Sequence, residues 1–226
     1  MKNQKRFILL IIFDSLVFVS AIIGLLFSVF DVRFMANYPR LSTLTIWMTF
    51  TGLSNLFVGL VALGCVIYHL LKKEIILSKA MFILKITALV AITITFLVTA
   101  CVLAPAQGSS WWRLYINNNL FNHLLTPLLA IFTFVVLEES VAISLTDCLF
   151  CLLPVVAYSV FYVINVCTHL TEHGKVNPTY DIYGLLRYGI GIAFLFFLAF
   201  TISSFGLAAL YRFLNKKKTA SLRSSY

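Results

Sequence analysis

The chain has 226 residues, of which 61% are hydrophobic and only 11% are charged, and its formal net charge is +9. A soluble domain has roughly 45 to 50% apolar and about 25% charged residues, so the composition excludes a soluble protein. The Lys and Arg residues lie beside apolar stretches rather than on a folded polar face, which excludes nucleic acid as the partner.

Six apolar stretches are long enough to cross a bilayer, because a helix needs about 20 mainly apolar residues to span roughly 30 Å of hydrocarbon. They are residues 7–30, 43–71, 81–104, 120–137, 145–170 and 185–214, followed by a basic tail at residues 215–226. They predict an all-α fold, a polytopic membrane helix bundle of about six transmembrane helices that forms a single membrane-embedded domain over residues 1–226. The start of the chain resembles a signal peptide, but its apolar stretch is longer than a signal core, so we predict a retained first span.

Lys and Arg residues are concentrated on one side of this predicted bundle. With the N-terminus inside, the inner segments contain Lys2, Lys5, Arg6, Lys72, Lys73, Lys79, Arg212, Lys216, Lys217, Lys218 and Arg223. The outer segments then contain only Arg33, Arg40, Arg113, Lys175 and Arg187. Because short loops rich in Lys and Arg stay cytoplasmic, we predict a multi-pass protein of the cell membrane with both termini in the cytoplasm. The inner loop at residues 138–145 is acidic, but acidic residues contribute little to this rule.

Polar residues recur on one helical face of three predicted spans. The stripes are Thr51, Ser54 and Asn55 on the second span, Asn119, His123, Thr126 and Thr133 on the fourth, and Tyr158, Tyr162, Asn165, His169 and Glu172 on the fifth. Residues three and four apart share a face of a helix, and polar side chains inside a bilayer are costly. We therefore expect the three stripes to face a shared interior in the outer half of the bundle. The alternative is that they only join helices through hydrogen bonds.

Asp14 on the first span and Lys85 on the third lie at matching depths from the inner side. An isolated charge inside the bilayer is costly, so a structural ion pair between two helices is the natural interpretation. A relay for protons or substrate is the alternative.

Two short motifs suggest chemistry that the surrounding sequence does not support. His169, Glu172 and His173 match the H-x-x-E-H pattern of some zinc peptidases, but no separate carboxylate ligand is evident. Cys148 and Cys151 have the spacing of a redox motif, yet no thioredoxin-like pattern surrounds them. We therefore predict no metal and no cofactor.

Two longer patches resemble a known membrane family. Residues 50–56 read Phe-Thr-Gly-Leu-Ser-Asn-Leu, residues 122–127 read Asn-His-Leu-Leu-Thr-Pro, and residues 177–181 read Asn-Pro-Thr-Tyr-Asp. Together they resemble the androgen-induced family of multi-pass threonine hydrolases and its bacterial six-span relatives. The resemblance implies a catalytic pair of Thr51 and His123, and a fatty acid ester as substrate, since mammalian members cleave fatty acid esters of hydroxy fatty acids. Thr49 is a neighbouring candidate nucleophile.

The stripes and the resemblance favour an intramembrane hydrolase of fatty acyl esters, with membrane lipids as its partners. A threonine hydroxyl is a weak nucleophile, so His123 would remove its proton during attack on the ester carbonyl. An amide group of Asn55 or Asn119 would donate to the oxyanion. The pocket would be lined by Ser54, Asn55, Asn119, Thr126, Tyr162, Asn165 and His169. Two other functions stay open: a small-molecule or ion transporter that uses the stripes as a polar path, and a non-enzymatic membrane scaffold.

Overall fold

Six long helices dominate the computed structural model, which describes residues 2–30 and 43–223. They are α1 (Lys2–Phe30), α2 (Phe50–Lys72), α3 (Lys79–Ala106), α4 (Asn118–Leu137), α5 (Asp147–Thr168) and α6 (Ile190–Arg223). Each contains a segment long and apolar enough to cross a membrane, and no strand occurs among the described residues. The predicted all-α, multi-pass membrane fold is confirmed. Arg33 and Arg40, which the sequence assigns to an outer segment, lie outside the described residues.

Two helices begin later than the sequence predicts. Residues Thr43–Met48 form a separate 3₁₀ helix, and α2 begins after Thr49, whose side chain accepts a hydrogen bond from Gly52 N. The apolar stretch at residues 43–71 does not show where the helix begins, because the N-cap Thr49 lies inside that stretch. Before α6, Gly189 has φ of 98°, which favours glycine and separates the helix from the loop that precedes it.

The helix at the centre of the bundle is α3. It contacts α2, α4, α5 and α6, and every side chain from Lys85 to Thr95 is buried. In contrast, α6 leaves most of its apolar side chains exposed, for example Phe194 and Ile202, each 64% exposed. A helix that is apolar on its exposed face suits a lipid environment, so α6 forms an outer wall of the bundle.

The two ends of the bundle differ in chemistry. At one end, which we name the triad end, α1 and α3 begin and α2 and α4 finish. There Lys85 Nζ lies 2.8 Å from Asp14 Oδ2 and 2.5 Å from Glu138 Oε2, and all three residues are buried. The predicted contact between Asp14 and Lys85 is thus present. Glu138, which the sequence assigns to an inner loop, joins it because α4 ends inside the bundle. The opposite end is named the cavity end.

Candidate active site

A partly open cavity of about 530 Å³ lies at the cavity end. Its wall combines the start of α2, the start of α4 and the segment between α3 and α4. Thr51, Asn119 and His123, all predicted site residues, line it. The volume falls within the range of about 300–1,000 Å³ that is typical of ligand pockets. Thr51 and His123 therefore face one space from two different helices.

A second cavity, of about 230 Å³, adjoins the first. It lies between α2, α3, α5 and α6, and its wall is mostly apolar, with three phenylalanines contributed by α6. Thr51, Leu103 and Tyr183 line both cavities. Thr51 thus lies at the boundary between the first cavity, which many polar side chains line and which we name the polar cavity, and the second, which we name the apolar cavity.

The two threonines at the start of α2 differ in what their hydroxyl groups already do. Thr49 Oγ1 donates to Ile46 O at 2.8 Å and accepts from Gly52 N at 3.0 Å, so its hydroxyl is occupied as the helix cap. In the described part of the chain, Thr51 Oγ1 makes no hydrogen bond to the backbone and lies beside the Tyr183 hydroxyl. Thr51, rather than Thr49, has a hydroxyl available for chemistry.

The hydrogen bond of His123 fixes which ring nitrogen carries the proton. Nδ1 lies 3.2 Å from Leu114 O, and because a carbonyl oxygen only accepts, Nδ1 must donate. In the neutral ring Nε2 then keeps its lone pair, and Nε2 has no hydrogen bond to another described residue. This is the arrangement that a general base requires. The same bond ties the 3₁₀ helix Gly108–Tyr115 to the start of α4.

Ser54, Asn55 and Thr126 line neither cavity, which corrects the prediction that they form the pocket. Each joins its helix to a neighbour instead, the alternative role considered for the stripes. The partners are Thr95 Oγ1 of α3 at 2.8 Å, Asn122 O of α4 at 3.1 Å, and Ser20 Oγ of α1 at 2.7 Å. The second amide hydrogen of Asn55 is donated to Thr51 O at 2.9 Å, so Asn55 is not available to an oxyanion.

Tyr162, Asn165 and His169 are also absent from both cavities. The Tyr162 hydroxyl donates to the Asp181 carboxylate. His169 follows the end of α5, is exposed, and stacks on Tyr180 with the ring centroids 3.9 Å apart. Its Nδ1 lies 2.8 Å from Asn165 O. Tyr162 and His169 therefore contact the loop between α5 and α6, whereas Tyr158, one turn earlier on the same face, packs on Phe50 of α2 and lines the second cavity.

The H-x-x-E-H segment does not lie on a helix, because α5 ends immediately before it. The described residues contain no group of three or more His, Cys, Asp or Glu side chains that could hold a metal ion. The helical spacing on which the zinc motif depends is therefore not formed.

A residue that the sequence reasoning missed, Tyr183, is placed by the loop between α5 and α6. In this loop the buried Asp181 carboxylate accepts hydrogen bonds from Leu186 N at 3.3 Å and Arg187 N at 3.0 Å. Two residues after Asp181, the Tyr183 hydroxyl accepts from Phe50 N at 3.0 Å, at the first turn of α2. The sequence signal was the Asn-Pro-Thr-Tyr-Asp patch, which ends just before this tyrosine.

A polar stripe on α1 was also missed. Ser20, Gly24 and Ser28 are four residues apart and face α4. Asn122 Nδ2 donates to Ser28 Oγ at 2.8 Å and approaches Gly24 O at 3.4 Å. Their spacing alone could have identified this face.

The fold and its cavities define the chain as a multi-pass membrane helix bundle in which a polar and an apolar cavity meet at a threonine. Comparisons with protein-family models, with curated proteins and with solved structures find no match. The resemblance to the androgen-induced family therefore stays a prediction.

Proposed function

We propose that this protein is an intramembrane hydrolase of fatty acyl esters, with Thr51 as nucleophile and His123 as general base. The observation that carries the proposal is the position of Thr51, which lines the polar cavity together with His123 and also lines the apolar cavity. A lipid ester has the same division, since its carbonyl joins a polar part to an acyl chain. The apolar cavity suits the acyl chain, and the polar cavity suits the alcohol part of the ester.

The chemistry follows the scheme of an acyl-enzyme. His123 Nε2 takes the proton of the Thr51 hydroxyl as Oγ1 attacks the ester carbonyl, and a tetrahedral oxyanion forms. The protonated ring then gives this proton to the departing alkoxide, which leaves as an alcohol, and acyl-Thr51 remains. In the second half, His123 takes a proton from water, the resulting hydroxide attacks the acyl group, and the proton returns to Thr51 as the fatty acid leaves.

The oxyanion needs hydrogen-bond donors in a site from which water is largely excluded. Because the Tyr183 hydroxyl accepts from Phe50 N, its own proton is free to turn from the neighbouring Tyr158 oxygen to an oxyanion beside Thr51. Asn119 uses one amide hydrogen on Arg113 O at 3.3 Å and keeps the other. We assign Tyr183 as the principal donor and Asn119 as the second one, in place of Asn55.

The proposal also includes an orientation, with the cavity end at the outer surface of the cell membrane and both termini in the cytoplasm. The concentration of Lys and Arg at the triad end supports it. Cys101 and Cys167 are free, exposed and close to the cavity end, whereas Cys65 is buried. A membrane-impermeant thiol reagent added to intact cells should therefore label the protein. Labelling that requires permeabilised cells would reverse the orientation.

The catalytic assignment is tested with purified protein, a fluorophosphonate probe and long-chain ester substrates. Thr51→Ala should abolish labelling, and the labelled peptide of the unmodified chain should contain Thr51. His123→Ala should reduce the rate of labelling, by about 10²- to 10⁴-fold if it acts as the base. Thr49→Ala is the matched control: it removes a helix cap worth about 1 kcal/mol but should keep the label.

Unchanged labelling and turnover in both Thr51→Ala and His123→Ala would refute the hydrolase. Tyr183→Phe tests the oxyanion assignment separately, because it keeps the ring and removes only the hydroxyl. Loss of one oxyanion donor typically lowers kcat by about 10²- to 10³-fold, whereas a purely structural tyrosine would leave kcat unchanged in protein that remains folded.

A further inference from the structure

The buried triad of Asp14, Lys85 and Glu138 has no part in the proposed hydrolysis, because it lies at the opposite end of the bundle. One ammonium group faces two carboxyl groups, at 2.8 Å from Asp14 Oδ2 and 2.5 Å from Glu138 Oε2. Asp14 is 1% exposed and Glu138 is 0% exposed. Moving an ion into such an environment costs several kcal/mol unless an opposite charge compensates it. One ammonium group compensates only one of the two carboxylates.

The two carboxyl groups have different surroundings. Glu138 is closer to the ammonium group, and the Arg6 guanidinium lies near it, donating to Leu137 O at 2.8 Å and to Glu138 O at 3.0 Å. A second cationic group, itself paired with the Glu139 carboxylate, therefore lies beside Glu138. Asp14 has Lys85 as its hydrogen-bond partner, and the other side chains that line the small void of about 20 Å³ beside it are apolar. That volume has room for one water molecule.

The other titratable groups near the triad are on α2. His69 is close enough to Asp14 to interact with it electrostatically, and Cys65 is close enough to interact with Lys85. His69 Nδ1 lies 2.7 Å from Glu74 O and donates this hydrogen bond, because a carbonyl oxygen only accepts. His69 Nε2 is buried without a hydrogen-bond partner among the described residues. His69 makes no hydrogen bond to Asp14 in the described structure, and a thiol such as Cys65 carries no positive charge in either protonation state.

We propose that Asp14 is a proton-binding site, in which the carboxyl group is protonated at neutral pH while Lys85 and Glu138 form the ion pair. The Asp14 carbonyl oxygen then accepts from the Lys85 ammonium group, and its hydroxyl faces the void. The triad is neutral in this state. Raising the pH until the proton leaves adds one buried negative charge, so the packing of α1 against α3 and α4 becomes less stable in alkali.

Infrared spectroscopy of the whole protein in lipid vesicles tests this site directly. A protonated buried carboxyl group gives a C=O stretching band that shifts when the sample is transferred to heavy water. We expect this band at neutral pH, a further shift when aspartate carries a heavy carbon isotope in its carboxyl group, and no such shift with labelled glutamate. Asp14→Asn should remove the band.

Two substitutions serve as controls. Asp181→Asn should keep the band, because Asp181 lies in the loop between α5 and α6, where its carboxyl oxygens accept from two backbone amides and a tyrosine hydroxyl rather than facing the triad. Glu139→Gln, at a partly exposed residue that pairs with Arg6, should also keep it. Absence of the band at neutral pH, a shift with labelled glutamate, or a band that persists in Asp14→Asn would each overturn the proposal.

Discussion

Replacing Gly24 of α1 with alanine should push α1 away from α4 beside the polar cavity. A Cβ atom at this position would lie 2.4 Å from Asn122 Oδ1 and 2.8 Å from Phe121 Cβ, whereas ordinary contact begins at 3.4 Å. The Phe121 atom is fixed to its backbone, so the two helices must separate by about 0.6 Å, which is 3.4 minus 2.8. Asn122 cannot turn aside without losing its 2.8 Å bond to Ser28 Oγ.

Overpacking of this kind typically costs about 1–3 kcal/mol, and the gain in helix propensity from glycine to alanine returns up to about 1 kcal/mol. We expect a net loss of about 1–2 kcal/mol, which lowers the apparent melting temperature by roughly 2–8 °C for a chain of this size. Thermal unfolding in detergent micelles measures it. Gly64→Ala is the matched control, since its Cβ would meet only Met81 Cε at 3.6 Å. Equal stability of the two variants would refute the reasoning.

Three further changes test the polar contacts. Asn55→Leu leaves the buried Asn122 carbonyl without its side-chain donor, so we expect a loss of stability of about 0.6–2 kcal/mol. Thermal unfolding measures it, and Asn165→Leu is the control because the Asn165 side-chain amide makes no hydrogen bond in the described structure. Asp181→Asn replaces a carboxylate that accepts three hydrogen bonds, so amide hydrogen exchange should accelerate in the loop between α5 and α6 and not in α3. Lys85→Met leaves a buried carboxylate uncompensated and should cost about 3–5 kcal/mol, measured by denaturant unfolding.

Each of these changes has an outcome that contradicts its reasoning. For Asn55→Leu it is a stability no lower than that of Asn165→Leu. For Asp181→Asn it is an unchanged exchange rate in the loop, and for Lys85→Met it is a loss below about 1 kcal/mol, the size expected for an exposed ion pair.

The sequence predicts the helices well because hydrophobic length is a property of each segment alone. All six predicted spans are present. The main errors in their predicted starts fall where a local feature interrupts an apolar stretch, at the N-cap Thr49 and at Gly189. The contact between Asp14 and Lys85 was also predictable, since a buried charge requires a partner and the two depths match. The participation of Glu138 was not predictable. An acidic residue at the end of a span reads in the sequence as part of a solvent-exposed loop, whereas this one is buried against Lys85.

The candidate site is predictable only in part, because helical periodicity identifies a face without identifying what the face meets. Thr51 and His123 do line one cavity, whereas Ser54 bonds to α3 and Thr126 bonds to α1. All four residues have the same polar signal in the sequence. Helices α2 and α4 each have more than one neighbour, so residues of one stripe that are a single turn apart contact different helices.

Pro127 shows how far local sequence determines such a contact. In α4 the turn Phe121–Leu125 is a π-helical turn, in which Thr126 N donates to Phe121 O instead of Asn122 O. Pro127 has no N–H to replace that donor, so the Asn122 carbonyl is released from the helix. A buried carbonyl needs a partner, and Asn55 Nδ2 supplies it from α2 at 3.1 Å. Pro127 thus predicts that the Asn122 carbonyl, next to His123, needs a donor from outside its own helix. The packing of α2 against α4 determines that this donor is the Asn55 amide, which also donates to Thr51 O.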